Sequence, residues 1–376
     1  MNLQSLNTPA ALIDVARMNR NIARMQERLN ELGVAFRPHV KTTKCEPVVQ
    51  AQIAAGARGI TVSTLKEAEQ FFAAGVSDIV YAVSIAPAKL AQALALRRAG
   101  CNLKLVADSL RGVEQIIAFG REHGEAFEVW IEIDVDGHRS GIPPEDAALL
   151  PVARTLVDGG MRLGGVIAHA GSSYEYDTHE ALVRIAEQER AGTVRAAVRL
   201  REAGLPCDVV SIGSTPTALA AENLDGVTEV RAGVYIFFDL VMHNVGVNDT
   251  SEIALSVLTT VIGHQPEKGW AIVDAGWMAM SRDRGTQSQK QDFGYGLVCG
   301  ENGEVLGDYI MTGANQEHGI IGHRDTTDSD VEARFPIGSR LRILPNHACA
   351  TGAQYPEYVA LNPDGELATW PRFAGW

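Results

Sequence analysis

Eight times between about residues 11 and 245, the chain alternates a short β-branched apolar run with a longer amphipathic stretch rich in Ala, Leu, Arg and Glu. The runs are AFRPHV (35–40), GITVS (59–63), IVYAV (79–83), LKLVA (103–107), VWIEID (129–134), GGVIAH (164–169), VVSIG (209–213) and TEVRAG (228–233). Helical patterns lie between them, such as LKEAEQFFAAG after the second run, and VARMNRNIARMQERLNELG precedes the first. Strand–helix alternation predicts a parallel sheet. Right-handed crossovers repeated eight times close such a sheet into a (β/α)8 barrel. A doubly wound open sheet has the same periodicity and is the rival architecture.

After about residue 248 the texture changes. ALSVLTTVIGH, GWAIVDAGW, GLVCGENGEVLGDYIMTGANQEHG and SRLRILPNHACAT are strand-like, with Gly, Asn and Asp turns between them and no long helical pattern. The α/β chain is therefore read as a barrel over residues 10–247 and a mostly β domain over 248–376, the latter joined by residues 1–9 and by the NTPAALIDV strand. The 33 basic and 46 acidic residues give a net charge of −13, which repels nucleic-acid backbones and anionic membranes. MNLQSLNTPA lacks the basic-then-apolar layout of a secretion signal, and no apolar run reaches about 18 residues. Five scattered cysteines without a CxxC pair fit a reduced, cytoplasmic protein.

In a parallel barrel the functional groups gather at the C-terminal strand ends. Strand one ends at Lys41, among Arg37, His39 and Lys44. Desolvation and like charge there would lower its pKa and make its amine a nucleophile toward an aldehyde cofactor or a carbonyl substrate. A solvated lysine is the plainer alternative. Gly213, Ser214 and Thr215 after strand seven, with Arg231, Gly233 and Tyr235 after strand eight, shift that balance. They stand where barrels bind phosphate with backbone N–H and hydroxyl donors, although an ordinary turn uses the same residues. A lysine on strand one and a phosphate cup at strands seven and eight together describe a site for pyridoxal 5′-phosphate. Arg231 would lie beside the pyridine ring, its permanent charge keeping the ring nitrogen unprotonated, or would serve a phosphate contact or salt bridge. Arg139, in a Gly-flanked loop, would clamp an oxyanion or form a surface ion pair. His169 and Tyr174, at the end of strand six, suit orienting or proton-transfer roles, or structural ones.

In the second domain, ILPNHACAT is notable. If it is extended, residues two apart point the same way, so His347 and Cys349 can share one metal. Imidazole and thiolate together suit Zn²⁺ or a similar ion, and two protein ligands leave positions for water or substrate. The alternative is a buried structural cysteine beside a capping histidine. Gln316-Glu317-His318-Gly319 reads either as support for that site or as a turn.

Taken in order over essentially the whole chain, NTPAALIDVARMNRNI, RPHVKTTK, GARGITVSTLKEAEQF, DGHRSG, HAGSSY, SIGSTPT, EVRAGVYIF, DAGWMAMSRD, QEHG and LPNHACAT resemble one family. It is the fold-type III pyridoxal-phosphate lyases of D-3-hydroxy amino acids, relatives of alanine racemase. The resemblance implies a barrel plus a β domain, cofactor attachment at Lys41, phosphate around Gly213, Ser214 and Thr215, and a divalent metal (Zn, Mn or Mg) on His347 and Cys349. That metal would coordinate the substrate 3-hydroxyl. Loss of the hydroxyl after Cα deprotonation makes a dehydratase; Cα–Cβ cleavage after hydroxyl deprotonation makes an aldolase. The family's aldolases carry His-x-Asp at the metal, whereas its dehydratases carry His-x-Cys, as here. The expectation is a dehydratase acting on D-threo-3-hydroxyaspartate or D-serine, with a D-threonine-type aldolase as the alternative. A racemase needs a second base that His-x-Cys does not offer, and non-catalytic cofactor carriers lack the β domain. The implied partner is a small D-amino acid, and the family's precedents include monomers and homodimers.

Overall fold

The structure is a computed structural model describing residues 3–376; Met1 and Asn2, at the start of the segment assigned to the β domain, lie outside the described residues. The chain groups into two compact units, one of residues up to Ile22 with Val234–Ala374, the other of Ala23–Gly233 with the last two residues.

After β1 (Ala10–Asp14) come β2 (Ala35–Phe36), β3 (Ile60–Val62), β4 (Asp78–Ser84), β5 (Asn102–Ala107), β6 (Glu128–Ile133), β7 (Arg162–Ala168), β8 (Val209–Ile212) and β9 (Glu229–Val230). These eight pair in parallel in the order β2-β9-β8-β7-β6-β5-β4-β3. A parallel bridge between His39 and Thr61 joins the two ends, with Thr61 N donating to the Pro38 carbonyl at 2.8 Å. The sheet is therefore a closed barrel and not a doubly wound one. Each strand falls on the apolar run that announced it. The first, like β9, spans only two residues; Pro38 beyond it has no N–H for the ladder, and a 3-10 turn, Val40–Thr42, follows.

The lumen is unusually polar. Arg37, after β2, lies 6.0 Å from the Trp130 ring of β6 and donates to Asp78 Oδ1 of β4 at 3.0 Å, contacts between strands that are not neighbours and so made across the interior. Its Nε also donates to Glu229 Oε2 at 2.9 Å. Lys104 pairs with Asp78, and Ser211 Oγ joins Glu229 Oε1 at 2.7 Å. Val80, Val106, Trp130 and Ile167 fill the space beside this chain of charges. Outside the barrel, the long helix His179–Glu202 buries Leu182, Ile185, Ala186, Ala196 and Leu200 along one stripe, the spacing of an amphipathic helix.

The other unit continues with β10 (Leu255–Gln265), β11 (Trp270–Val273), β12 (Gly296–Gly300), β13 (Val305–Ala314), β14 (Gly319–His323), β15 (Arg340–Pro345), β16 (Glu357–Leu361) and β17 (Leu367–Pro371). They form a nine-stranded sheet with β1, ordered β11-β14-β13-β12-β15-β10-β1-β16-β17, and an additional β10–β11 pairing curls it. β1 lies antiparallel to β10 (Leu12 opposite Ser256) and parallel to β16 (Leu12 opposite Val359). Val257, Val273, Met311, Ile321, Phe335 and Ile343 form its core. Among the described residues no helix is long and apolar enough to cross a membrane.

Breaking a buried ion pair from one side leaves an uncompensated charge and costs about 3–5 kcal/mol. Arg37→Leu strands Glu229, 6% exposed, in the lumen. The substitution is expected to lower the urea midpoint by a corresponding amount, and an unchanged midpoint would show that the lumen network carries no stability.

Candidate cofactor and metal sites

Lys41 sits in the 3-10 turn after β2 and is exposed, so the burial invoked for its activation is not found. Its charge is instead felt by two buried histidines. Burial holds His39 well below the ordinary imidazole range, with Lys41, Arg231 and His169 acting in the same direction. His169 falls to about 4, first through burial and then through the charges of Lys41, Arg231 and Arg139. Both rings are therefore neutral near pH 7. His169 Nδ1 lies 3.0 Å from the Gly213 carbonyl, which only an N–H can satisfy, leaving Nε2 without the proton. The Tyr174 ring stands 6.2 Å from that of His169.

The turn after β8 is pre-ordered. Gly213 has φ +127°, and a Cβ there would stand 2.3 Å from the Arg231 carbonyl oxygen, so no other residue fits. Ser214 caps the short helix Thr215–Ala220 in a capping box with Thr217, and its hydroxyl meets that of Ser173 at 2.8 Å. Arg231 is fully enclosed. It donates from Nη1 to Ser211 Oγ at 2.7 Å and from Nη2 to the Ala168 carbonyl at 2.6 Å. Burial lowers its pKa to about 10, against the pull of Glu229, Glu189 and Glu132, so it remains a cation.

Arg139 is exposed and lies 3.7 Å from Glu132, as in the ion-pair reading. Tyr235, read together with Arg231, is fully buried but groups with the other unit. Two residues that the sequence reading passed over hold this region. Glu189, wholly buried, accepts from Ala170 N at 2.8 Å and Gly213 N at 3.1 Å, fixing the turns after β7 and β8 to each other. Asp136 accepts from both N and Oγ of Ser172 at 2.8 Å. A charged residue in the apolar stripe of the helix His179–Glu202 was the signal for Glu189.

A phosphorylated pyridoxal fits these residues on one ground: His39 Nδ1 is buried without a partner, a polar atom that a bound polar group could meet.

In the β unit, His347 and Cys349 do meet, but not on an extended strand. β15 ends at Pro345. Ala348 N donates to Asp239 Oδ2 at 2.9 Å, and Thr351 N to the His347 carbonyl at 3.1 Å. These bonds turn the chain into the short helix Ala348–Gly352, with His347 at its N-cap. The imidazole hydrogen-bonds the Cys349 side chain, and Asp283 Oδ2 holds Nδ1 at 2.6 Å. Burial alone would lower the His347 pKa, but these two partners push it up. Asp283 thus occupies Nδ1, which leaves Nε2 for the bond to Cys349, the pair of donors that a divalent metal would bridge. Among the described residues no group of three or more His, Cys, Asp or Glu side chains is placed to hold a metal. Asn346 braces the segment by donating to the Gly294 carbonyl at 2.7 Å. Gln316-Glu317-His318 is a turn whose Gln316 carbonyl accepts from Met278 N at 3.1 Å.

Residues 13–241 match the family model "Alanine racemase, N-terminal domain", and residues 254–361 match "Putative serine dehydratase domain". The chain belongs to the alanine racemase N-terminal domain family, in the branch that carries this second domain. It is 68% identical to D-threo-3-hydroxyaspartate dehydratase of Delftia sp. strain HT23 over 376 residues, covering 100% of this chain and 99% of that one. The solved structure of that enzyme superposes with a TM-score of 0.99 over 100% of both chains. D-serine dehydratase of Dictyostelium discoideum is 30% identical, covering 97% and 96% of the two chains. A mutant of the first enzyme in a metal-free form has a TM-score of 0.99 at 67% identity, again over 100% of both chains.

A carboxylate that orients a metal-binding imidazole is worth about 10- to 100-fold in metal affinity. Asp283→Asn is expected to weaken divalent-metal binding by that factor in competition with a chromophoric chelator. Unchanged affinity would mean that Asp283 does not orient His347.

Proposed function

We propose that the chain is a pyridoxal 5′-phosphate- and divalent-metal-dependent dehydratase. It converts a D-3-hydroxy amino acid, D-threo-3-hydroxyaspartate foremost and D-serine as well, into a 2-oxo acid and ammonia. The observation that carries the reading is the His347–Cys349 pair held by Asp283, in a chain 68% identical throughout to a D-threo-3-hydroxyaspartate dehydratase. All five cysteines are free, which suits a reducing compartment such as the cytoplasm.

In this reading the barrel carries the cofactor and the β unit the metal. Lys41 would hold the cofactor covalently; Gly213, Ser214, Thr215 and Gly233 would hold its phosphate; Arg231 and Tyr235 would contact its ring, and Arg139 an oxyanion. When bound, the cofactor supplies an electron sink for negative charge at Cα, and the divalent metal (Zn, Mn or Mg) supplies Lewis acidity at the 3-hydroxyl. The remaining work falls to side chains. Lys41 Nζ takes the Cα proton of the D-substrate. His169, neutral and fixed by the Gly213 carbonyl, orients the reacting groups with Tyr174. Arg231, a permanent cation on neutral acceptors, keeps a ring nitrogen beside it unprotonated.

A positioned general base is worth about 10²- to 10⁴-fold. Lys41→Ala is expected to cut 2-oxo acid formation by at least the lower figure, and a normal rate would sink the assignment. His347→Ala should keep the cofactor's colour and lose turnover. Exhaustive chelation of the native protein should abolish turnover and readdition of metal restore it; activity that survives chelation would rule out the metal's role.

A further inference from the structure

The preferred substrate of the reading above carries a carboxylate that D-serine lacks, and that charge needs a cation. On the segment that brings Asp283 to His347 two cations are available, Arg282 and Arg284. Arg284 is committed, its Nη2 on Asp292 Oδ2 at 2.9 Å and its guanidinium 5.0 Å from the Tyr295 ring. Arg282 is exposed, stacks 4.1 Å from the Trp277 ring and has no carboxylate partner among the described residues.

Its place in the chain is fixed from both sides. Two residues before it, the Met280 carbonyl accepts from Thr351 Oγ1 at 2.8 Å. One residue after it, Asp283 holds His347 at 2.6 Å. Arg282 is thus strung between two anchors on the segment that carries the metal-ligand pair. Ser281, between Met280 and Arg282, has φ +74° and ψ 168°, a region that side chains other than glycine rarely occupy. Its Oγ accepts from Asp283 N at 3.1 Å, which holds the strained turn. Trp277 is braced in turn by its backbone N–H, which donates to the Asn315 carbonyl at 2.9 Å. A planar guanidinium laid on an indole keeps its N–H edge free and ordered, and that edge matches a carboxylate.

We infer that Arg282 is the specificity-determining residue that reads the distal carboxylate of 3-hydroxyaspartate. The inference rests on the dehydratase reading for its substrate but not for its test. With metal-loaded holoenzyme, D-aspartate and D-alanine serve as probes that differ in the distal carboxylate and have no 3-hydroxyl to lose. Their dissociation constants are read from tryptophan fluorescence in the native protein, Arg282→Leu and Arg282→Lys. A charge-assisted hydrogen bond of this kind is worth about 10- to 100-fold. Arg282→Leu should weaken D-aspartate by that factor relative to D-alanine, and Arg282→Lys should recover part of it. In turnover, the preference for D-threo-3-hydroxyaspartate over D-serine should fall by a similar factor through KM. Equal weakening of both probes, or of neither, would overturn the inference. Native protein that binds the probes as expected yet makes no oxo acid would refute the dehydratase reading and leave the carboxylate site standing.

Discussion

A guanidinium enclosed in a barrel must be given acceptors, and the arrangement of this barrel follows from how Arg231 is supplied. Its two terminal nitrogens go to Ser211 Oγ and the Ala168 carbonyl, both neutral. Ser211 is itself oriented by Glu229, which also binds Arg37, and Arg37 reaches Asp78, which Lys104 shares. The charges alternate in sign across the lumen. Each is expensive to bury alone and tolerable in sequence. The carbonyl of Arg231 also lies so close to residue 213 that only glycine fits there. The cation and the proposed phosphate turn are therefore one construction, tied from behind by Glu189.

The proposed metal pair rests on the same principle in another setting. Asp239 takes the N–H of Ala348, Asp283 takes the ring of His347, and Asn346 grips the Gly294 carbonyl. Buried or half-buried polar side chains, each used by a specific backbone or imidazole partner, convert a strand end into a short helix whose first residues meet. The loop that supplies Asp283 also supplies Arg282, so the proposed metal site and the proposed reading of substrate charge share one strained turn.

The barrel was legible because eight apolar runs with crossover-length spacers have few closed solutions, and the strand ends followed from position alone. The β unit was legible as texture, and β1 joins it through pairing that runs across the whole length of the chain. What stayed hidden was contact between residues far apart in sequence. Asp283 meets His347 across 64 positions, and nothing in SRDRG announces it. The sequence suggests the His-x-Cys pair on an extended strand, whereas the Asp239 side chain on Ala348 N and the backbone bond from Thr351 N to the His347 carbonyl place it at a helix start. Basic and apolar neighbours in sequence suggest a buried Lys41, yet in the turn after Pro38 it is exposed.

The central claim is loss of the 3-hydroxyl rather than cleavage of the Cα–Cβ bond. It is tested most directly by a product assay on purified, cofactor- and metal-supplemented protein given D-threo-3-hydroxyaspartate, D-serine and D-threonine in parallel. The account predicts 2-oxo acid and ammonia in equal amounts, fastest from the hydroxyaspartate. Glycine with an aldehyde would contradict it and show that a His-x-Cys metal site also supports retro-aldol chemistry.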